Sequence, residues 1–247
     1  MGLGISGIPA RWLEMPLWKE LHIPQPQSRA DSRPGGLVQG ISLGLFGGLR
    51  ALLADLLWLR VNLSWERRRV PDTLAYLHLV TAVDPRPLIF WLNGARMMAY
   101  DMPSWRIENL AGRDGPVTGL RERIEAEQTR LALAWLDEAL KSHPASAAIF
   151  IERANLQLNC RRDPAAAAAD YRRAAEQPDA PYYAARLHAE LLRRVGRKAE
   201  ALAWLVELHP RLPQGEEAAA AGLVLSRIRE LEEELGVPSE QRYLPRI

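Results

Sequence analysis

The sequence predicts an all-α fold, a solenoid of antiparallel helix pairs, and three observations carry that expectation. Ala167, Tyr171 and Ala174 have counterparts in Ala201, Leu205 and Leu208, each 34 residues further on; 34 residues is the length of one helix–turn–helix solenoid unit. From residue 54 onward apolar residues recur at helical spacing, in segments separated by Pro and Gly. No segment alternates apolar and polar residues for long enough to make a sheet.

Residues 1–34 are an irregular, proline-rich segment. Pro9, Pro16, Pro24, Pro26 and Pro34 break any long helix there. Trp12, Leu13, Leu17, Trp18 and Leu21 form a short apolar stripe that suits either a membrane surface or the protein's own surface. Met1, Gly2 and Ser6 fit the myristoylation pattern formally, but the alanine- and arginine-rich composition reads as bacterial.

Residues 35–53 are apolar, with Gly36, Gly40, Gly44 and Gly48 recurring every four residues. Four interior glycines cost a soluble helix up to ~1 kcal/mol each relative to Ala, and close helix packing in a membrane is one compensation. Gly35 to Leu49 is uncharged but only fifteen residues long, short of the ~20 that span a bilayer. Extending to Leu59 takes in Arg50 and Asp55, each worth roughly 2.5–3.5 kcal/mol at the centre of a membrane helix. Three readings stand: residues 35–59 associate with a membrane, the segment is a helix docked on the first repeat of the solenoid, or it is a glycine-rich loop. No A-x-A cleavage site follows cleanly.

A helical array is expected over 54–213. Asp55–Arg68 makes one helix and Pro71 opens the next, Thr73–Val83, with Leu74, Leu77 and Val80 on one face. Pro87 opens a helix from Leu88 to about Tyr100. Asp101 to Gly119, with Pro103, Gly112, Gly115 and Pro116, reads as an irregular insertion. Thr118 suits the cap of a long helix that His143-Pro144 stops. Helix pairs follow near 146–160 and 164–177, then 181–195 and 197–209. Residues 214–247 supply a Glu-rich capping helix, about 216–235, and a tail.

The net charge of +2 over 247 residues is too small to argue for nucleic acid, and the basic residues are almost all Arg. A single cysteine, Cys160, excludes an internal disulfide framework and a multi-cysteine zinc site. His22, His78, His143, His188 and His209 lack H-x-x-x-H spacing, and no Walker loop or dinucleotide fingerprint is present. No cofactor or metal is therefore expected. Gly40-Ile41-Ser42-Leu43-Gly44 matches a nucleophile elbow in letters, but that chemistry needs a strand before the serine and a helix after it. A serine hydrolase is the weakest reading. Arg67–Arg69 closes a helix, where cations favour the dipole.

Position by position the repeats resemble the tetratricopeptide family. The unit from Tyr182 gives Ala185, His188, Ala189, Leu192, Gly196, Ala201, Leu205, Leu208 and Pro213. The unit from Ala148 gives Ile151, Ala154, Asn155, Leu158, Ala167, Tyr171 and Ala174, with Asn155 a departure and Pro178 one residue early. The unit from Ala54 gives Leu57, Arg60, Val61, Ser64, Thr73, Leu77, Val80 and Pro85, and is degenerate at Arg60 and Thr73. The unit from Leu88 gives Trp91, Gly94, Ala95 and Met98, then resumes after the insertion at Ala132, Leu136, Ala139 and Pro144. The N-terminal block also resembles membrane-anchored bacterial proteins of this kind.

The resemblance implies a right-handed superhelix, a non-catalytic scaffold for a protein or peptide partner, and a ligand-binding concave groove. Carried over by repeat position, its groove residues are Asp55, Trp58, Asn62, Trp65, Arg96, Tyr100, Glu152, Asn159, Tyr183, Arg186, Glu190 and Arg193. Arg suits carboxylates, Asn suits backbone, and Trp and Tyr are apolar anchors. The alternative is a structural subunit of an oligomeric assembly, its groove filled. Localisation at a bacterial inner membrane is the expectation, with a cytoplasmic protein as the alternative. Arg60 and Arg67–Arg69 favour a cytoplasmic solenoid by the positive-inside rule, though they also belong to the first repeat.

Overall fold

The computed structural model describes the backbone of residues 35–114, 119–213 and 215–245, and their side chains from residue 48 onward with 111–114 excepted. The chain divides into two units, Met1–Leu45 and Phe46–Ile247. The described part of the first is the opening of one helix (residues 35–45); the second holds everything else. The apolar stripe Trp12–Leu21, the Met1–Ser6 pattern and the expected cap at Thr118 lie outside the described residues.

Among the described residues the structure is helical throughout, with no strand. The order is α1 (Gly35–Glu66), α2 (Val70–Val83), α3 (Leu88–Arg96), a π turn (Met97–Asp101), α4 (Met102–Asp114), α5 (Leu120–Ser142), α6 (Ala147–Asn159), α7 (Pro164–Ala175), α8 (Tyr182–Arg194), α9 (Lys198–Leu208) and α10 (Ala221–Glu234). Each helix from α5 to α10 packs on the next along the chain.

Local chemistry explains the boundaries. Pro71 sits in the first turn of α2 and Pro164 in that of α7, where the missing N–H has no helical partner in any case. The Asp163 carboxylate accepts the Ala166 N–H at 2.9 Å and caps α7. Gly119, in the left-handed region with φ 80°, holds the cap position of α5.

The turns keep the repeat register. Arg68, Arg162 and Gly196 occupy the same position in the units from Ala54, Ala148 and Tyr182, and all three are left-handed, with φ of 54°, 55° and 84°. At the last, the Arg197 N–H reaches back to the Leu192 carbonyl at 2.9 Å. A left-handed residue closing the helix in this way turns the chain sharply back on itself.

Two expectations are corrected. Residues 101–114 are not irregular, as the expected insertion over 101–119 had them: the backbone is helical through Asp114. A proline inside an α-helix clashes with the carbonyl four residues back and removes a hydrogen bond. Here a π turn precedes Pro103, and the Met102 N–H bonds the Met97 carbonyl five residues back, so the helix widens just before the ring. Likewise, the separate segments expected at 35–53 and 55–68 are one helix, α1, with no break at the boundary.

The helix pair interrupted by α4 still forms, because α3 packs on α5. Ala132, Leu136 and Ala139 of α5 are fully buried. The Trp135 indole N–H donates to the Trp91 carbonyl at 2.9 Å, over the small Gly94. Further along, Ala167, Ala168, Tyr171 and Ala174 of α7 are buried with Ala154, Ala184 and Ala189 of α6 and α8. Small residues here let three helices lie close together.

Candidate functional site

The face formed by α3 with its π turn, α6 and α8 gathers a polar and aromatic cluster. Arg96 at the end of α3 places Nε and Nη2 3.0 and 2.7 Å from one oxygen of Glu152 on α6. The Glu152 side chain is 4% exposed, that of Arg96 53%, so the pair is a buried acid capped by a cation at the surface. The bond to Glu152 raises the Arg96 pKa further above its ordinary value.

One turn further on, exposed Tyr100 meets Asn159 and Cys160 at the end of α6, and partial burial pushes its hydroxyl pKa up. The Tyr171 hydroxyl, from α7, donates to Asn155 Oδ1 at 2.7 Å. Burial raises its pKa, with Tyr183, Glu152 and Tyr100 close enough to add to the shift. Burial likewise pushes the Cys160 thiol up, which makes it a weak nucleophile. Tyr183 on α8 is exposed and its hydroxyl makes no hydrogen bond among the described residues.

Beyond Tyr183 the face continues into a cavity of about 410 Å³ lined by Tyr183, Arg186, Leu187, Glu190, Leu223 and Arg227. Its floor is apolar and its rim is charged. Arg186 does not pair with Glu190, as its i, i+4 spacing would allow. It donates instead to the carbonyls of Ala218 and Ala219 at 3.0 and 2.9 Å, holding the turn before α10. Glu190 is bound by Arg193 at 3.1 and 2.6 Å, with Arg227 at 3.8 Å. The Arg193 bond holds the Glu190 carboxyl below its usual range.

The carried-over groove residues thus separate into two sets. Arg96, Tyr100, Glu152, Asn159, Tyr183, Arg186, Glu190 and Arg193 line one run of helices. On α1, Trp58 packs on Phe90 with ring centroids 4.9 Å apart. Trp65 donates to the Asp101 carboxylate at 2.8 Å and meets Trp105 edge-on. Both indoles are thereby built into the core beside α3 and α4. Asn62 is half-buried, and Asp55 is exposed with no side-chain partner among the described residues. Asn155 and Tyr171 were missed from sequence; a polar residue where the repeat wants a small one was the available signal.

The remaining sequence candidates have structural surroundings. His188 Nδ1 lies 2.8 Å from the Ala168 carbonyl and its ring meets Trp204 edge-on; burial lowers its pKa. His143 Nε2 lies 3.0 Å from the Pro85 carbonyl. Residues 40–44 are helical backbone within α1, not a strand–turn–helix elbow. Arg68 pairs with Glu108 at 2.6 Å. Among the described residues no three His, Cys, Asp or Glu side chains gather as a metal site would require.

No protein-family model matches this chain, and no curated protein is detectably similar to it.

Proposed function

We propose that this chain is a non-catalytic interaction scaffold, a right-handed superhelical solenoid like that of tetratricopeptide proteins, which holds a protein or peptide partner along the face of α3, α6 and α8. The observation that carries this reading is the shared surface itself. Arg96, Tyr100, Glu152, Asn159 and Tyr183 are distant in sequence, yet Arg96 meets Glu152, Tyr100 meets Asn159, and Tyr183 lies with Glu152 and Tyr100 near Tyr171. The left-handed residue recurring at one repeat position in three units supports the solenoid geometry.

Chemically the face offers phenol and amide groups for a peptide backbone, and an apolar hollow with a charged rim for an anchor side chain. Tyr100 and Tyr183 are large, exposed and rigid, the type of side chain that dominates binding energy. Among the described residues no helix is long and apolar enough to cross a membrane. The uncharged stretch 35–49 nevertheless favours membrane association of the first unit, at a bacterial inner membrane.

Photoreactive residues at Tyr100 and Tyr183, with Ala134 of α5 as a control, test the groove in cells. The proposal expects the same partner captured from both tyrosine positions and not from Ala134. Capture of nothing but the chain itself would overturn it.

A further inference from the structure

Leu49, Leu52, Leu56, Leu59 and Leu63 recur along α1 at intervals of three and four residues. The first four are 60, 57, 53 and 62% exposed, although leucine is among the residues most often buried. The opposite face of α1 is fixed: Ala54 and Val61 are fully buried, and Trp58 and Trp65 pack beside them. Arg50 is turned away into a 2.9 Å bond with the Val83 carbonyl. The row is therefore rigid, apolar and unpartnered within the described residues.

The spacing is that of a two-helix seam. A strict three–four alternation averages 3.5 residues, the repeat that keeps one stripe facing a partner helix. Flanking the stripe are Asp55 on one side and Arg60 on the other, both exposed, and their side chains make no hydrogen bond or ion pair among the described residues. In a parallel pair a residue flanking the seam meets the one five positions on in the partner helix. Asp55 then faces Arg60 of the other copy, twice by symmetry. An antiparallel pair sets each flank against its own kind and loses this match.

We propose that a second copy of this chain covers the row, α1 against α1, parallel and in register, with Asp55 and Arg60 joining the copies. The groove on α3, α6 and α8 stays outside this seam, so the pairing does not depend on the scaffold reading. A lipid surface is the competing occupant. It responds to the sum of the charges, whereas a paired helix responds to their positions.

The test uses the full chain. Sedimentation should give twice the 27.7 kDa chain mass. Leu52→Cys and Leu59→Cys, which face themselves across a parallel axis within disulfide reach, should link under mild oxidation, while Leu223→Cys, equally exposed on α10, should not. Asp55→Arg and Arg60→Asp should each weaken pairing about tenfold, and the double exchange should restore it to within about twofold. If either reversal unfolds the chain by circular dichroism, Asp55→Asn and Arg60→Gln replace them, each expected to weaken pairing about threefold. A monomer at every concentration would overturn the proposal, as would equal linking at Leu223→Cys or a double exchange without rescue. So would Asp55→Arg tightening the chain's hold on phosphatidylglycerol vesicles while it stays monomeric, the signature of lipid.

Discussion

Gly94→Ala sets two general tendencies against each other, and the geometry decides between them. Alanine is the better helix former, and the exchange in a helix interior normally stabilises by up to ~1 kcal/mol. A Cβ at Gly94 would lie 2.9 and 3.1 Å from Trp135 Nε1 and Cε2, and 3.2 Å from Leu77 Cδ2. The indole has little freedom to yield. Its N–H is bonded to the Trp91 carbonyl, and its ring is 4.7 Å from Trp91 and 5.0 Å from His78. Overpacking of this kind costs about 1–3 kcal/mol, so the net expectation is a loss of about 1–2 kcal/mol. Urea unfolding followed by tryptophan fluorescence measures it as a fall in midpoint at unchanged slope. Gly222→Ala, whose Cβ would meet nothing within 4 Å, serves as the control and should leave stability unchanged or raise it by a few tenths of a kcal/mol. A Gly94→Ala protein as stable as wild type would refute the close packing of α3 on α5, and with it the pairing across α4.

Arg96→Ala strands the buried Glu152 carboxylate and should cost about 2 kcal/mol in urea unfolding, with Arg96→Lys recovering part of it. Arg162→Gly relieves a left-handed residue at φ 55° and should stabilise by about 0.5–1 kcal/mol, whereas Gly196→Ala, at φ 84°, should destabilise by about 1 kcal/mol; thermal unfolding reads both. His188 has a folded pKa lowered by burial, so below the unfolded value of about 6.5 the unfolded chain binds the extra proton first. Its contribution to stability is complete above that pH and falls as the pH drops towards the folded pKa. His188→Asn keeps a donor for the Ala168 carbonyl, and its stability between about pH 7 and 5 should fall less steeply than that of wild type.

What was legible in the sequence is what local chemistry fixes. Pro71, Pro87 and Pro164 mark helix starts because proline suits the first turn, and Gly196 marks a turn because it adopts positive φ without strain. The buried positions of the units from Ala148 and Tyr182 follow from the 34-residue register, and Ala154, Ala167, Ala174, Ala189, Ala201 and Leu205 are all buried. Pro103 was misread because the π turn that accommodates it leaves no mark of its own in composition. Arg162 shows that tertiary context holds a non-glycine residue where the repeat needs a left-handed one. In the candidate site, repeat position alone names the residues of α3, α6 and α8, but not the groups they bond. The carbonyls of Ala218 and Ala219 that hold Arg186 belong to a turn over thirty residues away, and backbone acceptors are invisible to a side-chain pattern. Glu232 was read as part of a solvated cap. It is buried, accepting the Tyr243 N–H at 2.5 Å and an Arg229 guanidinium N–H at 2.7 Å, so it ties the C-terminal tail to α10.

The central claim is that the face of α3, α6 and α8 holds the partner. Its most direct measurement is calorimetric titration of the purified partner, once captured at Tyr100 and Tyr183, into wild type and a Tyr100→Ala/Tyr183→Ala variant. Exposed tyrosine anchors contribute about 2 kcal/mol each when they are hot spots, so the account predicts a dissociation constant weakened by about a thousandfold with unfolding midpoints unchanged. An affinity equal to that of wild type would contradict it.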